Sequence, residues 1–144
     1  MRFWRISEFA DLSGDGGKLY PGRWNLRGVP IVYCADHPST ALLEILVHLN
    51  PNRMPQNYQL IEVILDEELA VTTPELRHGW EGDEGHSQFI GYKFITENKN
   101  ALMRVPSVIM PQAFNYLINP AHSDSAKIKV GQIWRYPFDS RLLV

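Results

Sequence analysis

The segment from Pro38 to Leu49 constrains the fold of this chain more than any other stretch of the sequence. Proline is tolerated in the first helical turn, and Asp36 or His37 can cap the exposed amides, so the sequence predicts a helix that ends near Leu49. Apolar residues cover nearly every side of this helix, which is typical of a buried helix: Ala41, Leu42, Leu43, Ile45, Leu46, Val47 and Leu49. Glu44 stands in the middle of them. An unpaired buried charge is costly, so this carboxylate needs a partner.

The segment before this helix supplies the partner that we expect. Residues 29–35 are rich in β-branched and aromatic side chains, which predicts a largely buried strand with Tyr33 near its end. Arg23 lies in the loop before that strand and can provide a positive charge. Our hypothesis is that Arg23, Tyr33 and Glu44 meet in one cleft. A structural ion pair beside a core tyrosine is the alternative, and the pattern alone leaves both open.

The rest of the sequence predicts one α+β domain over residues 1–144, a length that suits a single core. Its fold is expected to be compact, with a central, bent or split, mainly antiparallel sheet and two main helices. The second helix is predicted at 86–99. Further strands are predicted at 3–6, 58–65, 101–110 with a break at Pro106, 115–122 with a turn at its end, 128–135 and 138–143. Three stretches are predicted to be irregular: a glycine-rich lid or turn at 11–17, a loop at 51–55, and a surface excursion at 72–85 with one helical turn at 74–77.

Composition and spacing argue against several classes of protein. A net charge of −2 lacks the basic excess that nucleic-acid binding needs. One cysteine excludes an internal disulfide, and the acidic start without a long apolar run does not resemble a secretory signal or a membrane span. We therefore expect a cytoplasmic protein. The five histidines show no metal-ligand pattern, and the calcium-like spacing from Asp11 places Gly22 where the final acid should be, so no metal is expected.

The remaining polar groups indicate a nucleotide substrate. Ser107 lacks the Gly-x-Ser-x-Gly context of a nucleophile and is interpreted as a hydrogen-bond donor, whereas Cys34 is interpreted as a buried, inert thiol. An arginine can pair with phosphate oxygens, an aromatic ring can stack on a planar cationic ring, and a carboxylate can stabilise an oxocarbenium-like centre. Together these groups fit NAD as a substrate.

Several motifs occur in an order that resembles the RES domain family across nearly the whole chain. They are Arg5, Gly22-Arg23-Trp24-Asn25 with Gly28, Tyr33, Ala41-Leu42-Leu43-Glu44 with His48, Arg104-Val105-Pro106-Ser107, Asn119-Pro120-Ala121-His122, and Phe138-Asp139-Ser140-Arg141-Leu142. The resemblance implies a toxin of a type II toxin-antitoxin module, with a fold similar to the ADP-ribosyltransferases. It also implies NAD depletion by hydrolysis or phosphorolysis, and a cognate antitoxin with an Xre-type helix-turn-helix that blocks the site.

The resemblance also implies roles for individual residues. Arg5 and Arg23 would hold the diphosphate of NAD, and Tyr33 would pack against the nicotinamide and its ribose. Glu44 would stabilise the ribosyl cation, and Ser107 would hydrogen-bond a ribose or the diphosphate. Arg23, Tyr33 and Glu44 are thus the predicted catalytic residues.

Other inferences leave alternatives open. Asn119 joins Arg5 and Ser107 as a predicted cofactor-binding residue on the family pattern, although a turn that caps its own backbone explains it equally well. His122 matches the pattern without an assigned role. The competing functions are a protein ADP-ribosyltransferase and a noncatalytic binding domain, while an RNA-cleaving toxin would need a basic surface and a histidine pair. The family resemblance also suggests a homodimer bound to antitoxin.

Overall fold

Within the described residues, seven strands form one sheet and three α-helices accompany it. The computed structural model describes residues 1–50, 52 and 56–143, so the predicted loop at 51–55 lies almost wholly outside the described residues. The strands are β1 (Arg2–Ser7), β2 (Val32–Ala35), β3 (Gln59–Leu65), β4 (Val71–Thr72), β5 (Leu102–Pro106), β6 (Phe114–Ile118) and β7 (Ile128–Arg135). The helices are α1 (Asp15–Leu19), α2 (Pro38–Leu46) and α3 (Glu84–Glu97).

The sheet is split at its centre. Its order is β4-β5-β6-β2-β1-β3-β7, and neighbouring strands are antiparallel except for β4 and β5. Trp4 and Ala35 are the registered pair that joins β1 to β2, whereas β1 pairs with β3 along its whole length and β2 does so with β6. Beyond Trp4, therefore, β1 pairs only with β3 and β2 pairs only with β6, and the two halves of the sheet separate.

Helix α2 covers one face of this junction. His37 caps it as one of the two predicted residues, since its Nδ1 accepts a hydrogen bond of 3.1 Å from the Ser39 amide. The helix ends at Leu46, before the predicted Leu49. It packs on β1 and β2 through buried Ala41, while Val47 is 59% exposed. The expectation of a helix buried on all sides is wrong, because a single sheet face covers only one side of it.

Helix α3 covers the same face beside the other half of the sheet. Asp83 caps it by accepting a hydrogen bond from the His86 amide, so the helix begins two residues before the predicted start. Phe94 packs there with Trp24, Trp80 and Leu117 in an apolar cluster. Trp80 is buried, which corrects the prediction that 72–85 is only a surface excursion.

The opposite face of the sheet carries the larger apolar cluster. It includes Phe3, Val32, Cys34, Ile61, Val63, Leu65, Leu102 and Ile118, all of them almost completely buried. The alternation of side chains along each strand assigns residues to one face or the other. Phe3 and Cys34 therefore point away from the face that α2 and α3 cover.

Two local predictions are wrong, and a third is decided against one of its two alternatives. Residues 138–143 contain a 3-10 turn at Ser140–Leu143 rather than a strand. The helical turn expected at 74–77 lies instead at Trp80–Gly82. The glycine-rich loop at 11–17 runs into α1, and a Cβ on Gly17 would stand 2.5 Å from the Val29 carbonyl oxygen. This segment is therefore packed against the chain before β2 and is not a free lid.

The predicted fold class is confirmed: an α+β fold with a split, mainly antiparallel sheet and two main helices, here α2 and α3. The additional helix α1 has five residues. Among the residues that the structure describes, no helix is both long and apolar enough to cross a membrane.

Candidate active site

Glu44 is held by two neutral donors. Ser107 donates its hydroxyl proton to Glu44 Oε1 at 2.6 Å, and Asn115 Nδ2 donates to the same oxygen at 2.9 Å. Ser107 is buried, as predicted, and it directly follows β5, which ends at Pro106 and does not continue to the predicted end at 110. The expected ion pair with Arg23 is absent from the described residues, since none of their salt bridges includes Glu44.

Tyr33 lies on the sheet face that Glu44 reaches. In the β2–β6 ladder Tyr33 is opposite Leu117, and Ala35 is opposite Asn115. Directly opposed residues share a face, as do residues two apart in a strand, so Tyr33 and Asn115 are diagonal neighbours on one face. Their Cα atoms are expected to be about 7–8 Å apart. The structure therefore brings Tyr33 near the residue that holds Glu44.

Arg23 occupies a tight turn that Tyr33 supports. The Gly22 amide donates to the Asn25 carbonyl at 3.0 Å, which closes a turn over residues 22–25, the arginine turn. Tyr33 donates its hydroxyl proton to Asn25 Oδ1, and the Trp24 amide donates to the Tyr33 oxygen at 3.1 Å. The Tyr33 hydroxyl is thus engaged by the turn. The predicted contact between Tyr33 and nicotinamide would therefore be made by the face of the tyrosine ring.

Electrostatics keep that hydroxyl protonated. Burial raises the pKa of Tyr33, and the negative charge of Glu84 acts in the same direction. A protonated phenol can donate to Asn25, whereas a phenolate could not. The raised pKa therefore matches the hydrogen bonds that fix the arginine turn.

Arg5 is placed differently from the other predicted residues. It follows Trp4 in β1 and pairs with Ile61. Its side chain therefore projects from the sheet face opposite to the one that Glu44 reaches. Its Nη1 donates to the Asp11 carbonyl at 3.0 Å. Arg5 is partly exposed and lies just beyond the point where β1 and β2 separate. The structure does not bring it to Glu44, and a diphosphate contact stays a prediction.

Asn119 lies at the far end of β6. It is fully buried, its Oδ1 accepts from the Ala121 amide at 3.0 Å, and its Nδ2 donates to Asn98 Oδ1 at 2.9 Å. It is four positions from Asn115 along an extended chain, which corresponds to roughly 13 Å. These contacts match the self-capping turn that the sequence left open. The same turn uses His122, whose Nδ1 accepts from the Asp124 amide.

The sequence-based reasoning missed Asn115 and Gly91. Asn115 was predicted only as a strand residue, and nothing in its neighbourhood marks it as a partner of Glu44. Gly91 carried a signal, because glycine within a helix is unfavourable by about 1 kcal/mol relative to alanine. A Cβ on Gly91 would stand only 1.6 Å from the Trp24 carbonyl oxygen, so glycine allows the arginine turn to approach α3. Among the described residues, no three His, Cys, Asp or Glu side chains cluster as metal ligands would.

Comparison with known proteins explains the order of the motifs. The model of the RES domain family matches residues 2–139 of this chain. The chain belongs to the RES domain family. The resemblance given by the ordered motifs is therefore confirmed, and the match includes the arginine turn, Tyr33, Glu44 and Ser107.

Two relatives that are named as toxins match this chain over almost their whole length. Toxin Res of Pseudomonas putida is 39% identical and covers 99% of both chains. The Prs ADP-ribosylating toxin of a Sphingobium species is 42% identical over 98% of this chain and 96% of its own. The crystal structure of the M. tuberculosis MbcT-MbcA toxin-antitoxin complex contains a chain of the same fold, with a TM-score of 0.72 and 19% identity over 92% of this chain and 81% of that one. The protein is thereby grouped with the toxins of the RES family.

Proposed function

We propose that this RES-family chain is a toxin that consumes NAD by breaking the bond between nicotinamide and ribose. The observation that carries the proposal is the environment of Glu44, whose carboxylate is held by Ser107 and Asn115 without a neutralising cation among the described residues. A carboxylate that is fixed by neutral donors keeps its negative charge for a positive centre. The ribosyl cation formed during glycosidic cleavage is such a centre.

The reaction needs little acid catalysis. The electron pair of the glycosidic bond passes to the positively charged pyridinium nitrogen, so nicotinamide leaves as a neutral molecule. Water or phosphate then bonds to the anomeric carbon and releases a proton to solvent. Glu44 stabilises the cation, Arg23 binds the diphosphate as a guanidinium fork, and the Tyr33 ring packs against the nicotinamide end.

Ser107 takes a role that differs slightly from the one inferred from its sequence. Its single proton is donated to Glu44, and its oxygen accepts from the amides of Ile109 and Met110 at 3.2 Å each. These bonds tie the carboxylate to the loop after β5. We therefore assign Ser107 to positioning Glu44, because these bonds use its proton and both of its lone pairs, and a ribose contact would have to replace one of them.

The experiment is to incubate the purified chain with NAD, with and without inorganic phosphate, and to follow nicotinamide and the ribosyl product. ADP-ribose as the product indicates hydrolysis, and its 1″-phosphate in the presence of phosphate indicates phosphorolysis. Unchanged NAD under both conditions, from protein that is folded by circular dichroism, would contradict the proposal and favour a noncatalytic binding domain.

A second candidate function is transfer of ADP-ribose to a protein. The Sphingobium relative, named an ADP-ribosylating toxin, is the observation that favours it. The same cleavage step serves both reactions, and only the acceptor differs. Incubation of the chain with a cell lysate and NAD labelled in its adenylate separates them, because transfer leaves the label on protein and depletion leaves it on a small molecule.

The proposal includes a partner and a place of action. We propose that the chain acts on cytoplasmic NAD and that a cognate antitoxin of the Xre helix-turn-helix type neutralises it, as the RES family resemblance implies. The related fold within a toxin-antitoxin complex is consistent with such a partner. Expression of the chain alone should arrest growth and deplete NAD, and co-expression of its cognate antitoxin should restore both. We also propose that the chain forms a homodimer, as the family resemblance suggests, and size-exclusion chromatography of the purified chain tests this.

A further inference from the structure

Helix α3 holds the backbone of the arginine turn at three consecutive residues. Ser87 donates its hydroxyl proton to the Arg23 carbonyl at 2.5 Å, and Gln88 Nε2 donates to the Gly22 carbonyl at 3.0 Å. The Trp24 carbonyl lies directly against Gly91. Residues 87, 88 and 91 lie on one side of a helix because they are three and four positions apart.

The segment that leads into α3 also holds the side chains of the turn. Arg23 Nη1 donates to the Glu81 carbonyl at 2.9 Å. The rings of Trp24 and Trp80 have centroids 5.5 Å apart, and both residues are buried. The segment from Trp80 to Gly91 therefore fixes Arg23 through its guanidinium, its carbonyl and the residues on either side.

Ser87 is the central residue of this contact. It is completely buried, although serine is normally exposed. Its oxygen also lies 3.0 Å from the Glu84 carbonyl oxygen, a contact that a helical serine commonly makes within its own helix, so its one proton is shared with the shorter bond to Arg23. The bond to Arg23 is different, because it joins residues 64 positions apart. Its loss would remove a hydrogen-bond donor from a partly buried carbonyl.

We infer that Ser87 is a positioning residue for Arg23: by holding the Arg23 carbonyl against α3, it directs the guanidinium to the place where a diphosphate binds. This inference rests on the proposed function for the identity of the anion, while the clamp itself is independent of the substrate. A long arginine side chain binds an anion more tightly when its backbone is already fixed, because less freedom is lost on binding.

The expected effect lies mainly in KM. Arg23 binds the diphosphate equally in the ground state and in the transition state. Loss of an interaction that is the same in both states raises KM while kcat changes little. For Ser87→Ala we expect KM for NAD to rise about tenfold, the effect of one lost hydrogen bond, with kcat within about twofold of wild type.

The test compares Ser87→Ala with Thr96→Ala in the full chain. Thr96 is also on α3, but it is exposed and its hydroxyl donates to carbonyls of its own helix. Hydrogen exchange of the Trp24 and Asn25 amides reports on the turn without any substrate. It should accelerate by about tenfold in Ser87→Ala, as expected for one lost hydrogen bond, and stay unchanged in Thr96→Ala.

A double-mutant cycle separates positioning from general stability. If Ser87 acts through Arg23, then Ser87→Ala should raise KM no further in an Arg23→Ala background. Equal increases in both backgrounds, or unchanged exchange at Trp24 and Asn25, would overturn the inference. Should Ser87→Ala fail to fold, Gln88→Met removes the neighbouring donor at similar volume and should shift exchange and KM in the same direction.

The two proposals fail in different ways. If wild-type protein does not consume NAD, the proposed function fails, and the exchange measurement still decides whether Ser87 fixes the turn. If wild-type protein consumes NAD but Ser87→Ala behaves like Thr96→Ala in both assays, the positioning role of Ser87 is refuted and the proposed function stands.

Discussion

Replacement of Glu44 by glutamine tests the site most directly, because it removes the charge and keeps the shape. The glutamine carbonyl can still accept from Ser107 and Asn115, which both donate to one carboxylate oxygen in the wild type. Conversion of two charge-assisted hydrogen bonds into neutral ones costs about 1 kcal/mol each. Burial of a neutral glutamine costs less desolvation free energy than burial of a carboxylate, and this difference offsets part of the loss. The free energy of unfolding should therefore fall by less than about 2 kcal/mol.

The effect on catalysis should be much larger. A carboxylate and a ribosyl cation about 4 Å apart interact by about 4 kcal/mol at an effective dielectric constant of about 20. This interaction exists in full only when the cation has formed, so its loss acts on kcat. Since about 1.36 kcal/mol corresponds to a factor of ten in rate, kcat should fall about 1,000-fold.

The assay measures nicotinamide release by wild type, Glu44→Gln and a control, Glu75→Gln, together with urea unfolding of each protein. Glu75 is exposed and lies between β4 and the 3-10 turn at Trp80–Gly82, so its change should leave both measurements unaltered. A folded Glu44→Gln protein that retains more than a tenth of the wild-type kcat would refute the assignment of Glu44 as the group that stabilises the cation.

Three further predictions follow from particular contacts. Asn115→Ala removes one of the two donors to Glu44 and should lower kcat about tenfold in the same nicotinamide assay, whereas a rate equal to wild type would contradict a positioning role. Gly91→Ala would place a Cβ 1.6 Å from the Trp24 carbonyl oxygen and should destabilise the fold by about 1–3 kcal/mol in urea unfolding; an unchanged midpoint would contradict the close approach. Burial raises the pKa of the Cys34 thiol to about 12, so the thiol ionises first in the unfolded chain. The free energy of unfolding should therefore fall as pH rises above about 8.5, by at most about 1.4 kcal/mol per pH unit. In urea unfolding at several pH values, Cys34→Ala should remove this contribution to the pH dependence, and an unchanged dependence would contradict it.

Local patterns predicted most of the secondary structure. The cap at His37 and the proline after it depend on neighbours in sequence, and so does the end of β5 at Pro106. The end of α2 was misplaced, since the helix stops at Leu46 and not at the predicted Leu49. The strand at Val32–Ala35 was predicted from its composition, although it starts later than the pattern indicated. Short-range rules succeeded where the responsible contacts are short-range.

The wrong predictions share a different cause. Residues 138–143 and 72–85 were interpreted from composition alone, yet the 3-10 turn at 140–143 and the burial of Trp80 depend on which surfaces those residues meet. The pairing of Arg23 with Glu44 failed for the same reason. The sequence showed that each charge needs a partner, but it could not show that a hydroxyl and an amide would serve Glu44.

By itself, the sequence determined the family, the class of fold and the identity of the acid at the centre of the proposed site, because ordered motifs and local periodicity are properties of the chain alone. Only the tertiary structure decided which groups share a sheet face. It placed Asn115 beside Glu44, Ser87 and Gly91 against the turn of Arg23, and Asn119 at the far end of β6. The physical reason is that strand register and helix packing join residues far apart in sequence, and a burial pattern specifies that a group is covered without specifying what covers it.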